Sequence, residues 1–143
     1  VTDSNGRILG FDYGSKRMGM AVSDPLGITA QPLPAVRREG DRKDVAAIAE
    51  IARRYEASGL VFGLPLHEDG NEGKMAALVR RFAEKLQEAT GLPVEMWDER
   101  FTTAQAERTL IEAGVRREKR KEVRDSMSAV FILQAFLDLR NRG

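Results

Sequence analysis

Hydrophobic and polar residues alternate along this chain in segments of different period, and the period predicts the elements. From Arg7 the run Arg-Ile-Leu-Gly-Phe-Asp-Tyr-Gly reads as a short buried strand that ends on an acid, Asp12, and turns at Gly14. Arg17 to Ser23 reads as a second strand, paired with the first as a hairpin through Tyr13 to Lys16. Ile28 to Arg37 is extended, but Pro32 and Pro34 remove ladder donors, which places it at a sheet edge. Over Asp41 to Ala57 the period lengthens: Val45, Ile48, Ala49, Ala52 and Tyr55 share one helical face, with Gly59 as the stop.

Leu60 to Gly63 is a fully apolar strand, and the loop Leu64 to Gly73 follows it. Lys74 to Thr90 is an amphipathic helix with Met75, Leu78, Val79, Phe82 and Leu86 inward, closed by Gly91 and Pro93. Val94 to Asp98 is a fifth strand. Thr102 then caps a helix with Gln105 at the third position of a capping box, running to about Ala113 before Gly114. Asp125 to about Arg140 is a last helix, apolar nearly all round and therefore deep against the sheet. Crossover helices in the second half imply parallel strands and the opening meander implies antiparallel ones, so the expected fold is α/β, a mixed five-stranded sheet with helices packed on it.

At 143 residues and 42% hydrophobic content the chain suffices for one core, read as a single domain with residues 1–6 as a frayed end. Cysteine is absent and His67 is the one histidine, which excludes disulfide frameworks, thiolate nucleophiles, Cys-ligated zinc and two-histidine relays. Any metal would be hard and oxygen-ligated, Mg2+ or Mn2+. No apolar run is long enough to span a membrane and no signal pattern opens the chain, so the expected compartment is the cytoplasm. Net charge is only +1, so distribution carries more information than the sum.

In open α/β sheets functional groups gather beyond the carboxyl ends of the parallel strands. Asp12 ends the first strand, the 64–73 loop follows the fourth, Asp98 and Glu99 end the fifth, and Asp125 at the amino end of the last helix is able to reach the same edge. Carboxylates that meet from separate elements repel, and a bound cation is the usual remedy. Two Mg2+ ions roughly 3.5 to 4 Å apart would serve an in-line displacement at phosphorus without histidine or cysteine. Each acid also has a plainer reading: Asp12 as a turn cap, Asp98 as a solvated strand end, Glu99 as an ion-pair partner of Arg100, Asp125 as a helix cap. Their joint position favours the metal site. Val115 to Arg124 carries six basic residues against two acidic ones, directly before Asp125. Such runs are usually solvated, yet Arg116, Arg117, Lys119, Arg120 and Lys121, with Lys16, Arg17 and Arg100, form the candidate phosphate-contacting set. His67 is a candidate general base or phosphate donor, although a lone loop histidine is more often neither. The turn Gly70 to Gly73 is either a substrate-facing loop or a plain turn.

Four stretches together resemble the YqgF family, also called RuvX, which is related to the RuvC Holliday-junction resolvases within the ribonuclease H-like superfamily. They are Gly10-Phe11-Asp12-Tyr13-Gly14 with Lys16, Arg17 and Gly19; Gly63-Leu64-Pro65-Leu66 with Asp69 and Gly70; Asp98 to Thr103; and Asp125 with Ala129 and Ile132-Leu133-Gln134. The resemblance implies a ribonuclease H-like nuclease whose catalytic and metal-holding acids correspond to Asp12, to Glu99 or its neighbour Asp98, and to Asp125. Strand alternation puts Asp98 and Glu99 on opposite faces, and Glu99 is the preferred choice. His67 stands where the family often has Asn, and Ser128 where Ala is usual.

Two nuclease roles follow from the resemblance: trimming the 5′ end of precursor 16S ribosomal RNA, in company with ribosome-assembly factors, and resolving branched DNA junctions. Symmetric junction cleavage needs two active sites and hence a dimer. No surplus apolar helix face is evident, so RNA processing by a monomer ranks first. An actin-like ATPase reading of Asp-x-Gly fails on length, because such enzymes enclose the nucleotide between two domains. A non-catalytic RNA-binding assembly factor would keep the basic residues without needing three acids.

Overall fold

The structure, a computed structural model, describes residues 6–99 and 117–142, and of 117–125 the backbone alone. Among the described residues the elements run β1 (Arg7–Asp12), β2 (Arg17–Ser23), β3 (Ala30–Arg37), α1 (Asp41–Arg54), β4 (Ala57–Leu64), α2 (Lys74–Thr90), β5 (Val94–Asp98) and α3 (Arg117–Arg142). The sheet order is β3-β2-β1-β4-β5. The β1–β2 and β2–β3 pairs are antiparallel, while β1–β4 and β4–β5 are parallel. This is the mixed five-stranded sheet that the change of period predicts, with proline-bearing β3 at one edge.

Side-chain alternation divides the core in two. Leu9, Phe11, Met18, Met20, Val22, Leu60, Phe62 and Leu64 face one way and meet Ile48 and Ala52 of α1 and Val79, Phe82 and Leu86 of α2. Phe11 stacks on Phe62 at 4.4 Å between ring centres, and Phe82 meets Phe62 edge-on at 6.2 Å. Each such pair contributes about 1 kcal/mol beyond area burial. Ile8, Ala21 and Val61 face the other way and carry Ala129, Ile132, Leu133 and Leu137 of α3. On that second face of β1, Gly10 stands between Ile8 and Asp12. A Cβ on Gly10 would come within 2.7 Å of Leu133 Cβ and 3.2 Å of the Ala129 carbonyl oxygen. Only glycine allows the helix this close to β1.

Several boundaries differ from the expectation, each for a tertiary reason. Helix α1 ends at Arg54 rather than near Ala57, because Glu56 turns at φ 54° and Ala57 already pairs with Arg7. Gly59 is thus not a helix stop; it lies within β4 opposite Ile8. Met75 and Leu78 are exposed, not inward, and Ala76, Val79, Phe82, Ala83 and Leu86 form the buried stripe of α2. Among the described residues the last helix already runs from Arg117, so Asp125 lies in its interior and not at its amino end. Arg, Lys and Glu are strong helix formers, and no Gly or Pro interrupts 117–125, so this part of the basic run is helical. The expected capped helix from Thr102 to Ala113 lies outside the described residues. Among the described residues no helix is long and apolar enough to cross a membrane.

Candidate active site

Asp12 is the last residue of β1, on the α3 side of the sheet with Ile8 and Gly10. Glu99 follows β5, two residues after Trp97, which packs on the same side. The two carboxyl groups are hydrogen-bonded to each other. Strand β4 lies between β1 and β5, so the backbones that carry them are roughly 9.6 Å apart. Both side chains must lean across β4, and there the strand offers Gly63. A Cβ at Gly63 would stand 2.8 Å from Glu99 Cγ and 2.5 Å from its Oε1, and would also meet Ile132 Cδ1. Absence of a side chain at Gly63 makes the carboxyl pair possible.

Burial and mutual repulsion set the protonation of the pair. Glu99 is pushed up to about 8, first by burial, then by its hydrogen bond with Asp12, then by the charges of Asp12 and Asp98. Burial also raises Asp12, opposed by hydrogen bonds from Glu99 and from Ser128. At neutral pH the proton therefore stays on Glu99, which donates to the Asp12 carboxylate, and the Ser128 hydroxyl donates to the same carboxylate. The pair holds one net negative charge and would hold two if a cation replaced the proton.

Asp98 lies in register with Leu64 and shares a face with Met96, which packs on the α1 and α2 side. Strand alternation thus turns Asp98 away from Asp12 and Glu99 toward it. Asp125 stands in α3 three residues, about one turn, before Ser128, and its side chain is outside the description. Among the described residues no group of three or more potential metal ligands forms, so the structure brings together Asp12 and Glu99 of the expected set. Lys16 and Arg17 are exposed at the β1–β2 turn and the start of β2. Arg117, Lys119, Arg120 and Lys121 belong to the first turns of α3, while Arg100 and Arg116 lie outside the described residues.

The 64–73 loop forms a small hairpin of its own. Leu66 bridges Glu72, the His67 N–H donates to the Asn71 carbonyl at 2.9 Å, and the His67 ring packs against Gly73 at the start of α2. Glu72 accepts two hydrogen bonds from Arg80, at 2.6 and 2.8 Å.

Two features beside the site escape a sequence reading. The first is Ser128, which looks sterically mild as a replacement for Ala yet supplies a hydroxyl donor to Asp12. The second is Arg38, whose guanidinium donates to Asp44 at 2.6 Å, Asp41 at 2.7 Å and the Gly14 carbonyl at 2.8 Å while lying 4.5 Å over the Tyr13 ring. Its backbone N–H donates to Lys16 O at 2.8 Å. Arg38 and Asp44 are nearly buried, with 9% and 3% of their side chains exposed. This clamp fixes the turn that directly follows Asp12. Asp44, four residues before Ile48 on an otherwise apolar helix stripe, was the sequence signal for it.

The chain matches the RuvX family, described as Holliday junction resolvase, over residues 6–139. It is 49% identical to a Myxococcus xanthus protein named "Putative pre-16S rRNA nuclease" over 92% of this chain and 87% of that one. A Moorella thermoacetica protein of the same name is 48% identical over 92% of this chain and 94% of its own. In fold the chain is similar to Thermus thermophilus RuvC in complex with a Holliday junction substrate, with TM-score 0.65 and 14% identity over 96% of each chain. The fowlpox virus resolvase in complex with Holliday junction DNA gives TM-score 0.60 at 12% identity, over 94% of this chain and 98% of that one. The glycine floor, the acid that ends β1 and the mixed sheet beneath them accordingly sit in a chain that belongs to the RuvX family.

Proposed function

We propose that this protein is a divalent-metal-dependent nuclease that hydrolyses phosphodiester bonds of precursor 16S ribosomal RNA. The observation that carries the reading is the Asp12–Glu99 contact over Gly63. Two carboxylates so close would repel once both ionise, and oxygen donors alone suit Mg2+ or Mn2+. Asp12 and Glu99 would hold the metal with Asp125 as a third ligand from α3, and Asp98 would add negative charge from outside the set. Bound there, the ions would supply Lewis-acid stabilisation of charge at the phosphorus being attacked. Ser128 fixes the Asp12 carboxylate through its hydroxyl, and the Arg38 clamp holds the turn that carries Lys16. Lys16, Arg17 and the basic turns of α3, with Arg100 and Arg116, would neutralise the phosphates of the incoming strand.

The names of relatives 42–49% identical favour RNA as the substrate. The family description favours a second reading, cleavage of four-way DNA junctions, which requires two sites acting together. Purified protein would be given a precursor 16S RNA fragment and a synthetic four-way junction in parallel, with Mg2+, with Mn2+ and with chelator. Metal-dependent cleavage of the RNA at its 5′ side is the expected result. Paired symmetric nicks in the junction with intact RNA would replace the first reading by the second.

A further inference from the structure

Two hydroxyls of α3 reach the sheet on either side of β2. The Ser128 hydroxyl donates to the Asp12 carboxylate on β1. The Ser126 hydroxyl donates to the Leu33 carbonyl of β3 at 2.6 Å, and Ser126 is only 4% exposed. Residues two apart on a helix project about 200° apart, so the two hydroxyls leave opposite flanks of α3. Between them β2 presents Gly19, which is buried and has no side chain to hold the helix off.

Both bonds fall in one row across the sheet. Asp12 stands opposite Gly19. The β2–β3 register shifts between Met18 and Met20, whose partners are Val36 and Leu33, so Gly19 faces Pro34 and Ala35 together. The Leu33 carbonyl belongs to the peptide that joins Leu33 to Pro34. Ser126 therefore attaches α3 to the sheet level with Asp12.

Asp125 directly precedes this attachment. Helix α3 runs antiparallel to β3, since Asn141 donates to Gly27 O, Gln134 accepts from the Ala30 N–H and Ser126 donates to Leu33 O. Strands β1 and β3 run the same way, because each is antiparallel to β2. The earlier turns of α3 thus extend toward the carboxyl end of β1, where Asp12 stands. Asp125 is three residues before Ser128 and four before Ala129, about 60° and 40° from them around the helix. Ala129 is fully buried, and its carbonyl oxygen lies against Gly10 of β1. Asp125 therefore occupies the β1 flank of α3, not the β3 flank of Ser126.

We propose that Ser126 is a positioning residue of the metal site, whose bond to the Leu33 carbonyl sets the height and rotation of α3 that hold Asp125 level with Asp12. Ser126 touches neither metal nor substrate and acts through its neighbour. Gln134 supplies a comparable polar tie from α3 to β3 at Ala30 and Ile28, but it lies roughly 12 Å further along the helix, away from the carboxylates. The proposal rests on the nuclease reading, because it takes Asp125 as a metal ligand.

The test is titration of the metal-free protein with Mn2+, followed by the electron paramagnetic resonance signal of the free ion, for wild type, S126A, Q134A, D125N and S126A/D125N. Thermal melts in chelator accompany it. S126A and Q134A each remove a tie between α3 and β3, so both should melt below wild type. S126A should bind Mn2+ about tenfold more weakly, whereas Q134A should bind it as wild type does. In the D125N background S126A should change the affinity by less than about twofold, because the two residues act as a unit. Wild-type Mn2+ affinity in S126A or in D125N would overturn the positioning role and leave the Asp12–Glu99 reading intact. Equal weakening in S126A and Q134A, or a full further loss in the double variant, would overturn it too. A wild type that binds no Mn2+ would remove the metal-dependent nuclease reading and this proposal with it.

Discussion

Glu99 donates its proton to the Asp12 carboxylate across the width of β4, and Gly63 is the floor that lets the two meet. Asp12 comes from the first strand and Glu99 from just beyond the fifth, so the contact exists only when the parallel half of the sheet is assembled in register. The site therefore depends on the fold at a single glycine.

Replacing Gly63 by Ala should separate the pair. The new methyl would collide with Glu99 and Ile132, and overpacking of this kind costs about 1 to 3 kcal/mol. The expected outcome is a lowered melting temperature together with loss of the stabilisation that added Mn2+ gives to wild type. Retention of the full Mn2+ shift would show that the metal does not need the pair.

The raised Glu99 group makes stability depend on pH in a defined direction. In the unfolded chain it ionises near 4.5, and in the folded protein at about 8. Folding favours the neutral form, so this contribution is complete below about 4.5 and is lost as pH rises through about 8. Without metal, wild type should lose stability between these limits, and Glu99→Gln should remove that part of the loss. Thermal melts from pH 5 to pH 9 in chelator, roughly spanning the window, check it. A parallel decline in both proteins would contradict the assignment.

The Arg38–Asp44 pair should be costly to break from one side. Asp44→Ala leaves a buried guanidinium with Asp41 as its remaining carboxylate partner, for a loss of about 3 kcal/mol. Denaturant unfolding of Asp44→Ala, Arg38→Met and the double variant would test this. The double variant should lose less than the sum of the single losses. Strict additivity would mean that the two residues act independently.

Ser128→Ala should remove a donor that favours the ionised form of Asp12. The Asp12 group then moves further up, and the acid limb of the rate–pH profile moves up with it. Ser128→Thr should restore the wild-type limb. An unchanged limb in Ser128→Ala would leave the hydroxyl without a role.

Much of this was legible in the residues because short-range rules decide it. β2, α2 and β5 follow from period and stop signals at Gly91 and Pro93, and the alternation at Asp98–Glu99 already separates the two acids by face. What was not legible depends on partners distant in sequence. Gly63 looks like an ordinary strand end until Glu99 is placed over it, and Arg38 looks like surface charge until Asp44 and Gly14 surround it. Met75 and Leu78 carry the right period for a buried face, but the stripe beside them packs on the sheet. Helix α3 already includes Arg117 because its basic residues have high helix propensity, a local signal that the charge density of the run obscures.

Asp12 and Glu99 are proposed as the metal-holding core of a nuclease site, and Asp12→Asn tests that role most directly. The variant keeps the shape and hydrogen-bonding capacity of the side chain while removing its charge. Cleavage of a precursor 16S RNA fragment in Mn2+, measured beside binding of the same RNA, should fall at least about a hundredfold with affinity preserved. Cleavage at the wild-type rate by Asp12→Asn would contradict the account.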